Sequence, residues 1–262
     1  MKTPFCTSLD QFQTMSLQDL NNQAGYLKRI DRKFLVGVSQ CTDFLKELQE
    51  DFHVLEINGK QVFSYDNMYM DTQDYLFYHQ HQQKEKSRTK IRTRLYKDSD
   101  IAFFEFKQKI DGITQKFRYQ FPSEEHGIMT KGKKRFFEGV WQSIYNGNPQ
   151  APELSPAMNT SYNRITLVAR NGSERITIDF NIQTRNLRAD HPENISLDNL
   201  VIIESKSLSE NCLSETLMKK MNIPEANSCS KYSLGIVYAG LVQQYDTFEN
   251  TLNEIEKISN VL

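Results

Sequence analysis

The sequence predicts an α+β fold: one antiparallel sheet of about eight strands, curled into a barrel or tunnel, with helices packed outside and a C-terminal helix. Three observations predict it. Strand-like segments follow one another closely and are joined by tight-turn signals such as Asp111-Gly112 and Asn171-Gly172. Basic residues recur at every second position, most plainly at Lys84, Lys86, Arg88, Lys90, Arg92 and Arg94, which puts them on one face of an extended strand. Helical periodicity is confined to a few segments between and after the strands.

In chain order, 8–22 reads as a short amphipathic helix capped by Ser8 and ended by Gly25. A strand over 26–38 follows, then a helix from Ser39 to position 50 that carries Phe44, Leu45 and Leu48 on one face. Asn58-Gly59 is a turn, 61–70 is extended, 71–74 turns again, and 75–81 continues as an extended segment. The basic strand occupies 84–97, and the turn at 98–100 leads into a hairpin of strands 101–110 and 113–121. Residues 125–145 read as a helix with the stripe Phe136, Phe137, Val140, Trp141 and Ile144. Strands resume at 163–170, 174–182 and 200–206, and the chain is helical from Tyr232 onward. The Asn-, Gly- and Pro-containing loop 146–156 is the one boundary candidate, and strands restart directly after it, so residues 1–262 are expected to form a single domain.

Composition narrows the function. The 262 residues are 38% hydrophobic and 25% charged, the balance of a soluble globular protein with a sizeable core. Lys and Arg number 32 against 33 Asp and Glu, a net charge of -1, so the basic runs are local; a nucleic-acid coat protein would be basic throughout. Cys6, Cys41, Cys212 and Cys229 are far apart and form no CxxC pair, which argues against a zinc site or a disulfide framework. No run approaches the ~18 apolar residues of a membrane span, and the first twenty residues lack a signal-peptide pattern, so the expected address is cytoplasmic.

Parity collects one inward-facing set. Arg29, Asp31 and Lys33 share a face, as do Arg88, Lys90, Arg92 and Arg94; Glu105, Lys107 and Lys109; Lys116 and Arg118; Arg175 and Asp179; and Glu204 and Lys206, with Arg164 on the strand before Arg175. Phe104, Phe106 and Ile203 take the opposite faces. A solvated sheet face explains one basic row. Repeated on strand after strand, it describes a wet channel for polyanions, because so many cations in a dry lumen would cost more than folding offsets.

Five segments, in order, resemble a known family: YLKRIDRKF at 26–34, RTKIRTRLY at 88–96, EFK at 105–107, IESK at 203–206 and SKYSLG at 230–235. They are similar to the polyphosphate polymerase (VTC, vacuolar transporter chaperone) domain of the triphosphate tunnel metalloenzyme, or CYTH-like, superfamily. The resemblance spans about 26–240, with a helical extension over 1–25 before it and a helix after it. It implies an eight-stranded tunnel that uses Mn²⁺ or Mg²⁺ to move the terminal phosphate of ATP onto polyphosphate, with no nucleic-acid partner and with a separate membrane protein as a plausible neighbour. Carried over by position, the phosphate ligands are Lys33, Arg92, Arg94, Lys107, Lys116, Arg164, Arg175 and Lys231, with Arg92, Arg94, Lys107 and Lys231 as the catalytic group, Ser230 as a hydroxyl donor and Glu204 as the metal ligand. Lys90, Lys109, Arg118 and Lys206 join the phosphate-binding set through parity.

The chemistry suits these residue types. Phosphoryl transfer needs positioning and charge neutralisation more than covalent help; Arg offers paired N–H groups to phosphate, and Lys a compact charge. A hard divalent ion takes one or two carboxylates plus phosphate oxygens, a role for Glu204 with Glu105 as a weaker second ligand. Hydrolases of the superfamily begin with E-x-E-x-K, where this chain has Arg29-x-Asp31-x-Lys33, so one acid has become a base. Lys109 stands where the fungal polymerases usually carry histidine. A triphosphate hydrolase and a noncatalytic polyphosphate or inositol phosphate sensor remain as alternatives; Glu204 argues against the sensor, which has no need of an acid among cations. His79 and His81 alternate but lack a third ligand and are expected on the tunnel rim, and no Walker-type loop or Ser-His-Asp arrangement is present.

Overall fold

Eleven strands and eight α-helices form among the residues that the computed structural model describes, 4–22, 30–146 and 149–259. The strands are β1 Gln13–Met15, β2 Ile30–Gly37, β3 Phe52–Leu55, β4 Phe63–Asp71, β5 Ser87–Tyr96, β6 Ile101–Ile110, β7 Ile113–Phe121, β8 Ser155–Ala169, β9 Glu174–Asn186, β10 Asn194–Leu197 and β11 Leu200–Ser207. The helices are α1 Cys6–Leu9, α2 Leu17–Asn22, α3 Val38–Leu48, α4 Leu76–Gln82, α5 Lys131–Tyr145, α6 Leu213–Lys220, α7 Lys231–Tyr238 and α8 Glu249–Ser259.

Eight strands make one antiparallel path, β2-β11-β9-β8-β4-β5-β6-β7, with β3, β10 and β1 attached at its sides. Among the described residues β2 and β7 share no ladder, so the expected barrel is curled but not closed by hydrogen bonds. The curl is nonetheless pronounced. Lys33 on the end strand β2 donates to the Cys229 carbonyl at 2.7 Å, and Lys90 on β5 donates to Ser230 Oγ at 2.8 Å, so one short segment bridges strands far apart in the path.

Alternation fixes what each face packs against. The outward residues Phe34, Val36, Ile165, Leu167, Ile176, Ile178, Val201 and Ile203 form a core with α1, α3 and α6. On the other flank Ile91, Phe104 and Phe106 lie under Phe137, Val140 and Trp141 of α5. One end of the inward face is also apolar: Leu35, Tyr69, Met158 and Ile202 cluster with Tyr232, Leu234 and Ile236 of α7. That helix therefore stops one end of the lumen and directs its first residue, Lys231, toward the charged remainder.

Several expectations are corrected. Positions 8–22 are not one helix: Phe5, Leu9 and Phe12 are buried, β1 pairs parallel to β3, and Ser16 rather than Ser8 caps α2 by accepting from the Asp19 amide at 3.1 Å. The 75–81 segment is helical because Asp71 accepts from the amides of Phe77 at 2.9 Å and Tyr78 at 3.0 Å, and Thr72 Oγ1 accepts from that of Leu76 at 2.9 Å. Lys84 precedes β5 and has φ 54°, so the alternating basic strand begins only at Ser87. Helix α3 starts ahead of Ser39, where Asn199 Oδ1 accepts from the Val38 amide at 3.1 Å. Helix α5 starts at Lys131, and its fully buried Lys133 ties down the preceding loop through the carbonyls of Glu125 at 2.6 Å and Ile128 at 2.9 Å. The C-terminal region holds two helices, α7 and α8, and β3, β10 and α6 are additions to the expected elements. Gly25 and Arg29 lie outside the described residues.

Gly235 explains how closely α7 enters the lumen. A Cβ there would collide with Thr184 Oγ1 and press on Met158 Cγ at 3.2 Å, whereas one at Gly139 in α5 meets open space. Gly235→Ala is expected to lower stability by about 1–3 kcal/mol through overpacking, and Gly139→Ala to be neutral or stabilising by up to about 1 kcal/mol. Urea denaturation of the two variants checks this; equal midpoints would contradict the close approach.

Candidate active site

Cross-strand register turns the inward side chains into rows. On β5, β6 and β7 one row reads Arg92, Glu105, Arg118 and the next reads Lys90, Lys107, Lys116. Glu105 is buried, and its oxygens meet Arg92 Nη2 at 2.6 Å, Lys116 Nζ at 2.7 Å, Arg118 Nε at 3.2 Å and Arg94 Nε at 3.9 Å. Burial alone would raise this carboxyl; Arg92, Arg94 and Lys116 outweigh burial and hold it well below the usual range. Glu105 thus neutralises side chains, and the expectation that it serves as a second metal ligand is replaced by this role. Lys116 falls to about 8, since its burial exceeds the opposing pull of Glu105. Arg94 is fixed separately, by Asn67 Oδ1 at 2.9 Å and by the ring of Tyr65 at 5.4 Å from its guanidinium carbon.

A second group forms where β8, β9 and α7 meet. Arg164 grips Asp179 with both arms, at 2.6 and 2.7 Å, and Lys231 reaches the same carboxylate at 2.5 Å. Asp179 is 2% exposed; burial opposes its charge, but Arg164 and Lys231 keep it below the usual range, and Asp179 in turn raises Lys231 against its burial. Ser230 caps α7, its Oγ accepting from the Ser233 amide. A third group lies on β2 and β11, where the Lys206 ammonium is shared by Glu204 and, at 3.4 Å, Asp31. Glu204 is held low by Lys33 and Lys206 against its burial.

The expected residues are therefore distributed unevenly. Lys33, Lys90, Arg92, Arg94, Lys107, Arg164, Glu204, Lys206 and Lys231 face one lumen, where Lys107 feels the fields of Lys33, Glu204, Lys206 and Asp31. Arg175 pairs in register with Lys206, one row beyond Glu204. Lys116 and Arg118 stand on the exposed strand β7, and Lys109 faces Arg88. His79 and His81 lie on α4, where burial, Lys90 and Arg88 keep His81 neutral. Sequence reasoning passed over Asp179 as a site residue although parity placed it beside Arg175, and it passed over Asn67, Tyr65 and Tyr162, whose polar or aromatic character carried no distinguishing pattern.

A curled antiparallel sheet with a lumen of cations and a few buried acids defines a tunnel protein built for phosphate-rich anions. The chain belongs to the VTC domain family, whose model matches residues 28–239. Among solved structures it is similar to a candidate adenylate cyclase from Bacillus halodurans, at 16% identity over 75% of this chain and 91% of that one with a TM-score of 0.46. Another candidate adenylate cyclase, from Vibrio parahaemolyticus, aligns at 11% identity over 79% of this chain and 97% of that one with a TM-score of 0.44. No curated protein matches the chain.

Glu105→Gln is expected to lower stability at pH 7 by about 2–3 kcal/mol, below the value for a fully buried pair because Lys116 and Arg118 are partly exposed. The Glu105 pKa is depressed by folding, so its contribution is present above the unfolded value near ~4.3 and lost as pH falls toward the folded value. The stability gap between wild type and variant should accordingly narrow below pH ~4 in denaturation series; a gap independent of pH would contradict the hub role.

Proposed function

We propose that this chain is a metal-dependent polyphosphate polymerase, acting as one domain, that transfers the terminal phosphate of ATP to the end of a polyphosphate chain inside the lumen. The observation that carries this reading is the engagement of the acids. Asp31, Glu105, Asp179 and Glu204 are each already held by a cation. A carboxylate so held is a poor base for activating water, whereas the end of a polyphosphate chain is already anionic and needs no base.

In the transfer, a terminal polyphosphate oxygen forms a bond to the γ-phosphorus, the bond from that phosphorus to the bridging oxygen breaks, and ADP leaves with the electron pair. Arg92, Arg94, Lys107 and Lys231 neutralise the charge on the transferring group, while Lys33, Lys116, Arg164 and Arg175 position the flanking phosphates. Ser230 supplies a hydroxyl beside Lys231. Among the described residues no group of three or more His, Cys, Asp or Glu side chains is arranged to hold a metal. Glu204 and Asp31 nevertheless share one ammonium, so two hard oxygen donors already surround a cation, which fits Mn²⁺ or Mg²⁺ bound by one or two carboxylates plus substrate phosphates. The ion, when bound, supplies charge neutralisation on the phosphate oxygens. No described helix is long and apolar enough to cross a membrane; a cytoplasmic address gives access to ATP, with a separate membrane protein as neighbour.

Incubation of the purified protein with ATP and Mn²⁺ or Mg²⁺, followed by gel or phosphorus NMR analysis, separates the readings: lengthening chains with ADP support the polymerase, orthophosphate alone a hydrolase, and binding without turnover a sensor. Glu204→Gln should abolish metal-dependent turnover with the fold intact by circular dichroism, because a neutral amide is a poor partner for a divalent ion. Arg92→Ala should weaken tripolyphosphate binding by about 1.5–3 kcal/mol, whereas Lys97→Ala, on an exposed side chain 3.7 Å from Asp66, should be nearly silent in the same titration.

A further inference from the structure

The rows on β5, β6 and β7 change character along the strands. In the row Arg92, Glu105, Arg118 an acid sits between cations, and Arg94 and Lys116 lean onto it. The rows that follow contain no acid: Lys90 faces Lys107, and Arg88 faces Lys109. Like charges directly opposite on a sheet repel. Among the described residues, Arg88, Lys90, Lys107 and Lys109 make no ion pair with a carboxylate, in contrast with Arg92, Arg94, Lys116, Arg118, Arg164, Lys206 and Lys231. The repulsion registers in the lysines: burial with Lys33 and Lys107 pushes Lys90 well down, and burial with Lys33 lowers Lys107. Two buried nitrogens at this end, Arg88 Nε and His81 Nε2, have no hydrogen-bond partner among the described residues. Exposed Lys84 and Lys86 continue the basic run beyond Arg88.

We propose that this acid-free end, lined by Arg88, Lys90, Lys107 and Lys109 with Lys86 at its mouth, holds the growing linear polyphosphate, while the acid-paired cations form the subsite that nucleoside triphosphate enters and leaves. The assignment rests on the polymerase reading and adds a division of labour to it. A ligand that must depart after each cycle is suited to cations whose charge a neighbouring carboxylate takes back, as Glu105 and Asp179 can. A polymer retained over many additions is suited to cations with no internal anion competing for them. Polyphosphate is favoured over single-stranded nucleic acid because stacking on aromatic rings dominates binding of the latter, and the rows at this end present Lys, Arg and Thr114; the ring cluster Tyr65, Tyr96 and Tyr162 lies at the other end of β4, β5 and β8.

The test measures binding of tripolyphosphate, a long linear polyphosphate of defined length and a single-stranded oligonucleotide by calorimetry, without nucleotide or metal. Wild type is expected to prefer the long polyphosphate to both others. The double variant Lys86→Ser, Arg88→Ser should lose about tenfold or more in affinity for the long chain, as expected for lost charge-assisted contacts, and keep tripolyphosphate affinity within about twofold. The charge-retaining pair Lys86→Arg, Arg88→Lys should restore chain binding, which separates lost charge from lost folding. Equal losses for both phosphates, unchanged binding of the long chain, failure of the charge-retaining pair to restore it, or an oligonucleotide bound as tightly as polyphosphate would each overturn the assignment. Failure of wild type to bind tripolyphosphate at all would overturn the polymerase reading itself, whereas tripolyphosphate binding and turnover with no preference for longer chains would overturn only the subsite assignment.

Discussion

Cations on the inner face of a curled sheet must be compensated, and the rest of this structure follows from how that is done. Each inward Lys or Arg would repel its cross-strand neighbours in an environment where charge is screened less than in water. Glu105 answers four of them, Asp179 two, and Glu204 with Asp31 one. The strands that carry these acids also set the shape of the lumen, so charge balance and backbone geometry are one problem. Where no acid is supplied, uncharged groups accept from the cations instead. Lys33 turns to a carbonyl and Lys90 to a hydroxyl, both on the segment that leads into α7.

Buried ion pairs are weak evidence of stability, because desolvation offsets much of the attraction. Their value here lies in arrangement. A guanidinium held by a carboxylate is already oriented for a phosphate, so less ordering remains to be done on binding. Arg164 and Lys231 show this most directly: one group from the sheet and one from α7 converge on a single carboxylate, which occupies the kind of position a phosphate would take. The apolar half of the inward face serves the same end, since Leu35, Tyr69, Met158 and Ile202 seat α7 and thereby place Lys231.

Local chemistry made parts of this readable in advance. The hairpin of β6 and β7 has the bounds expected from its Asp111-Gly112 turn, because Asp111 and Gly112, at φ 48° and 88°, satisfy a turn that few residue pairs can make. Phe104 and Phe106 lie under α5, as alternation required. Segments ruled by distant partners were not readable. Residues 75–81 alternate like a strand, yet Asp71 and Thr72 cap them into a helix, and the hydroxyl of Tyr232, from far along the chain, also bonds Asp71. Residues 8–22 divide because β1 finds a partner in β3 and Phe5, Leu9 and Phe12 enter a core supplied by other elements.

The sequence by itself determined which side chains share a face, since a period of two depends only on the pleat of a strand; it therefore determined the antiparallel, cation-lined architecture and its family resemblance. Only the tertiary structure decided which charges meet. Whether Arg92 and Lys116 share Glu105, whether Arg164 and Lys231 share Asp179, and whether Lys206 bridges Glu204 and Asp31 depend on register and curl. Those are set by hydrogen bonds and packing between residues far apart in the chain, and Coulomb energy depends on the distances they create rather than on spacing in sequence.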